Sequence, residues 1–193
     1  MKKILAILIL IFALQTPSQA DDIQDFQIEG MSLYSSALKR FNENQIKKEI
    51  AGYYSSNKFF TSTIRSSLNE YDYLQLSFRT GDNKYIIVDL TGNVEKNYSD
   101  CLNELDNLDK ELSVMFRDTK KINKQTYPHP VDKSGETKIT DIIWEFDSGD
   151  LILVQCYDWE SSNFGKERNY LDEMKISISN KDFDKWIFME AYK

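Results

Sequence analysis

Twice along this chain a run of alternating apolar and polar residues reaches a Gly-Asp pair and doubles back. In residues 71–80, Leu74, Leu76 and Phe78 alternate with Tyr73, Gln75, Ser77 and Arg79, the period of a strand with one buried face. Gly81-Asp82-Asn83 makes the turn, and residues 84–91 return with Ile86, Val88 and Leu90 on one side. The second hairpin joins residues 137–147 to residues 150–159 through Ser148-Gly149. Residues 151–154 are apolar on both faces, as in a central strand, and Cys156 falls on the Ile152/Val154 face. Strands joined by such short turns pair antiparallel. A first strand is expected within residues 53–64, after Gly52, and a last one where Met174, Ile176 and Ile178 alternate.

Helical periodicity is strongest over residues 98–120. Cys101, Leu105, Leu108, Leu112 and Met115 recur at steps of four and three, which makes one apolar seam facing a core. Ser32 is placed to cap an earlier helix carrying Leu33, Ala37, Leu38 and Phe41, followed by a short helical piece over residues 45–50. Ser179 or Asn180 caps a closing helix that buries Phe183, Trp186 and Ile187. Residues 123–135 and 161–169 are expected as loops. The fold class is therefore α+β, an antiparallel sheet with helices largely on one face.

The hairpins share a pattern, Phe78-Arg79-Thr80-Gly81-Asp82 and Phe146-Asp147-Ser148-Gly149-Asp150, offset by 68 residues. The expected helices before them, near Ser32 and Ser99, are offset by 67. The chain can thus be read as two copies of a helix and three strands, residues 31–97 and 98–179, plus a terminal helix.

Residues 1–20 have the parts of a secretory signal peptide. Lys2 and Lys3 precede eleven apolar residues, 4–14, and Ser18-x-Ala20 supplies the small residues for cleavage after Ala20. The apolar run is shorter than the roughly 20 residues of a membrane span. The remaining 173 residues form one domain with 22 Lys+Arg against 31 Asp+Glu, a formal charge of −9. No membrane insertion is expected after cleavage. An acidic chain without a Lys/Arg-rich block argues against nucleic acid or an anionic membrane as partner. Periplasmic or extracellular placement also sets the chemistry of Cys101 and Cys156, the only two cysteines. They are expected to pair, closing a loop worth on the order of 4 kcal/mol in unfolded-chain entropy.

The opening Ile28-Glu29-Gly30-Met31-Ser32, with Ala37-Leu38 in the short helix after it, resembles the start of the small outer-membrane assembly lipoproteins of the SmpA/OmlA type. It is also similar in layout to the β-lactamase-inhibitor-protein architecture, itself a duplication. The lipoprotein cysteine is missing, and Arg40-Phe41-Asn42-Glu43 stands where the lipoproteins turn through Gly-x-Pro. The chain as a whole resembles small secreted bacterial proteins. The resemblance implies a protein-binding surface rather than an active site, and carries no functional residue across.

Motifs for catalysis are sparse. His129, between Pro128 and Pro130, is the only histidine, so a Ser-His-Asp or Cys-His set has one place to be built. Zinc lacks ligands, and no twelve-residue calcium loop exists. No metal or cofactor is implied. Nothing selects one carboxylate pair for hydrolysis among the 31 acidic residues. Aromatic and arginine side chains remain as candidates for recognition. Tyr71, Tyr73 and Arg79 are expected on the polar face of their strand, and Tyr157 and Trp159 opposite the Cys156 face; His129, in the loop over 123–135, is a further candidate. The leading expectation is non-enzymatic binding of another envelope or extracellular protein. A small-ligand or carbohydrate binder is second, and a carboxylate-based hydrolase third.

Overall fold

The computed structural model describes residues 23–52 and 54–192. The leader and its cleavage point lie outside the described residues. A short helix α1 (Glu43–Lys47) precedes a three-stranded meander of β1 (Phe59–Ile64), β2 (Tyr73–Arg79) and β3 (Ile87–Glu95). The long helix α2 (Tyr98–Met115) then leads to a second meander, β4 (Lys120–Pro128), β5 (Lys138–Glu145) and β6 (Leu151–Asp158). A six-residue α3 (Asn163–Arg168), β7 (Glu173–Ser179) and α4 (Lys181–Met189) complete the chain. The seven strands form one antiparallel sheet in the order β1-β2-β3-β7-β6-β5-β4. The last strand in sequence is therefore the central one, joining the two meanders.

One face of the sheet is apolar because alternation puts Leu74, Leu76, Phe78, Leu90, Ile152, Val154 and Ile178 on the same side. Helix α2 covers it through Cys101, Leu105, Leu108 and Leu112, the seam read from the periodicity. Each of the three leucines contributes about 1.5–3 kcal/mol on burial. Asn97 caps the helix by accepting the Asp100 N–H at 2.9 Å. The Cys101–Cys156 disulfide, with 5.8 Å between Cα atoms, ties α2 to β6 beneath it. Helix α4, capped by Asn180, packs on the second face, setting Phe183 and Trp186 on Phe59 and Val88.

Several expectations require correction. No α-helix starts at Ser32. Tyr34 is left-handed (φ +63°), and residues 34–37 bond to residues 85–87 instead, leaving a three-residue 3₁₀ turn at Ala37–Lys39. Serine side chains favour this outcome by competing for the backbone: Ser35 Oγ donates to the Ser32 carbonyl, and Ser36 Oγ accepts the Leu38 N–H. The helical piece expected over 45–50 begins earlier, at Glu43, because Asn42 and Gln45 form a reciprocal capping box.

The expected loop over 123–135 begins as strand β4, a nearly fully exposed edge whose side chains give no alternation to read. Ile86, Val88 and Leu90 do not share one side. A bulge opposite Phe78 sends Ile87 with Leu90 into the main core and turns Val88 to the α4 side. The two Gly-Asp turns are alike in their left-handed glycines, Gly81 (φ +83°) and Gly149 (φ +85°), while no α-helix opens the segment from residue 31. No described helix is long and apolar enough to cross a membrane.

Candidate functional site

Strand alternation leaves the second face polar wherever α4 does not cover it. One cross-strand row runs Asp141, Gln155, Lys175, Asn93, Tyr73 from β5 through β6, β7 and β3 to β2. The next row places Tyr157, Glu173 and Glu95 side by side. Above these rows lies an open groove of about 580 Å³. Its floor includes Tyr73, Gln75, Glu173 and Lys175. One wall is the segment around Ile50, held beside β1 by an Ile50–Ser62 bridge. Val131, Tyr170 and Leu171 stand on the other side.

The floor is wired through Glu173. Its buried carboxylate accepts hydrogen bonds from the Tyr73 hydroxyl, from Lys175 Nζ at 3.1 Å and from the Trp159 indole N–H at 3.4 Å. Lys175 Nζ lies 4.4 Å from the centre of the Tyr157 ring. Burial alone would depress the Lys175 ammonium. The oxygens of Tyr157, Glu173 and Tyr73 around it outweigh that and raise its pKa. Tyr73 is likewise raised, chiefly by burial, and stays a phenol donor. Arg65 stacks 4.6 Å from the Tyr73 ring and pairs with Glu49 at 3.4 Å.

His129 stands behind this floor, 4.5 Å from Trp159 and 5.7 Å from Tyr157 between ring centres. Burial first, and then the Lys175 charge, lowers its pKa to about 4. At neutral pH it is an uncharged ring whose Nδ1 accepts the Val131 N–H at 3.2 Å, so the proton sits on Nε2. A protonated lysine, a carboxylate with three donors and a packed imidazole form a rigid floor. None of the three is poised as a nucleophile or general base.

Of the residues singled out from sequence, Tyr73, Tyr157, Trp159 and His129 converge here. Tyr157 and Trp159 are only 9% and 7% exposed, stacked on each other and flanked by Phe164 and Tyr170. Trp159 lines the groove, with Tyr157 stacked against it. Tyr71 does not share their face: it packs on the main core against Gly92, where a Cβ would meet its ring at 2.3 Å. Arg79 lies at the far end of β2, paired with Asp182 and stacked on Phe59. Glu173, Lys175, Arg65 and Glu95 were not anticipated. The Met174/Ile176/Ile178 alternation already places Glu173 and Lys175 on the face opposite the core, but their partners are distant in sequence.

No family model, curated protein or solved structure matches the chain.

Proposed function

We propose that this chain is an exported, non-enzymatic binding protein that holds a segment of another envelope or extracellular protein in the groove of its polar sheet face. One observation carries this reading. Four large apolar side chains, Ile50, Val131, Tyr170 and Leu171, stand at the rim, each 45–49% exposed, around a floor in which Glu173 and Lys175 are paired with each other. Apolar rims around an ordered floor suit recognition rather than chemistry. The basic-apolar leader and the buried disulfide support export, and the likeness of the Ile28–Ser32 opening to assembly lipoproteins points the same way. The groove is open, which favours a chain segment over an enclosed small ligand.

Affinity capture from envelope and culture-medium extracts, with oxidised residues 21–193, tests it against a Leu171→Asp control. The expected result is one saturable protein captured by the wild type and missing from the control. Identical captures by the two proteins would overturn the groove as the binding surface.

A further inference from the structure

The groove's charges are unevenly answered. Five charged residues line it: Glu49, Arg65, Glu95, Glu173 and Lys175. Both cations are engaged inside the protein, Arg65 with Glu49 and the Tyr73 ring, Lys175 with Glu173 and the Tyr157 ring. Glu95 is different. It sits at the exposed end of β3, directly across from Glu173 on β7, and its carboxylate has no ion pair among the described residues. Two acidic neighbours on adjacent strands repel each other, and Lys175 is turned to only one of them. The backbone around Glu95 is held by Asp72, which accepts the Glu95 N–H at 2.7 Å, so another carboxylate lies close by.

We propose that the segment bound in the groove carries a lysine or arginine that pairs with Glu95, flanked by large apolar side chains that seat against Ile50 on one wall and Leu171 and Tyr170 on the other. This inference rests on the groove reading above and adds the chemistry of its occupant. An extended segment suits the site because the walls stand on either side of a floor of strands. Alternate side chains of such a segment would face the floor and the rim by turns. The chain's acidic balance, 31 Asp+Glu against 24 Lys+Arg, favours the same partner sign at long range.

The test uses a random dodecapeptide library displayed on phage, panned on oxidised residues 21–193. Enriched peptides are then measured as synthetic peptides on four proteins: wild type, Glu95→Gln, Leu171→Asp and Ile50→Asp. All four are first checked for an unchanged melting temperature. The two rim changes lie on exposed side chains, so each leaves the buried core untouched. The expected outcome is a basic residue set among large apolar ones, with affinity falling at least tenfold in Glu95→Gln and lost in both rim variants. Raising salt from 50 to 500 mM should weaken wild-type binding more than it weakens the Glu95→Gln residual. Peptides without a basic residue, or bound equally by Glu95→Gln, overturn the charge inference while loss in the rim variants preserves the groove reading. Peptides bound equally by the rim variants, or no enrichment at all, overturn both.

Discussion

Asp89 has its carboxyl beneath α4, where water is scarce and the available donors are hydroxyls. Ser77 Oγ donates to it at 3.2 Å, and Ser77 is itself linked through Thr61 to the Tyr54 hydroxyl, at 2.8 and 3.0 Å. Burial raises the Asp89 pKa to about 7 against these hydrogen bonds, with Asp184 adding to the rise and Lys175 opposing it. A carboxyl raised on folding contributes stability that is full below its unfolded pKa, near 4, and is lost as pH rises through 7. Replacing it by an amide keeps the hydroxyl contacts and removes the ionisation. Asp89→Asn is therefore expected to be more stable than wild type at pH 7.5, by up to about 4 kcal/mol for three pKa units, and nearly equal to it at pH 4. Urea melts of both proteins at the two pH values check this. A constant difference between them would show that Asp89 does not titrate across that range. At the same scale, Gly92→Ala drives a methyl into the Tyr71 ring and is expected to cost about 1–3 kcal/mol in the same melts.

Among the elements, α2 is the one most dependent on a single covalent tie. Both bridged cysteines are fully buried, and α2 carries one partner while interior strand β6 carries the other. Cys101→Ala combined with Cys156→Ala is expected to lower stability by about 2–5 kcal/mol. Amide exchange should quicken most along α2. An unchanged melting temperature would mean that the helix is held by packing alone. This helix, β2 and β6 are legible in the sequence because each buries one face more than the other, which leaves a period in the residue types. Strand β4 buries almost nothing, so Lys120, Lys121 and Lys124 on an exposed edge carry no period at all. Val88 is misplaced for another reason: one extra residue in a bulge turns it over, and composition does not announce the bulge. The segment after Ser32 has helical spacing, yet its hydrogen bonds go to residues 85–87, some fifty positions away. The site follows the same logic. Tyr157 and Trp159 are placed by the alternation of β6 continued one residue past its end, whereas the link from Glu173 to Tyr73 depends on the order of the strands in the sheet.

For the whole molecule the decisive fact is the position of β7. Each meander alone exposes a long edge, β3 on one side and β6 on the other, and only β7 satisfies both. A chain ending at residue 172 is expected to lose cooperative unfolding and near-ultraviolet dichroism, although α2 and both hairpins remain encoded. A sharp unfolding transition in that truncated chain would mean that one meander folds with α2 by itself. The same feature sets an order of events for a polypeptide threaded through a pore from its N-terminus. Under the proposed export, Cys101 and Cys156 would emerge ahead of β7, and the sheet could not be sealed until Glu173–Ser179 had followed them. Threading would then be finished before the native architecture could resist it.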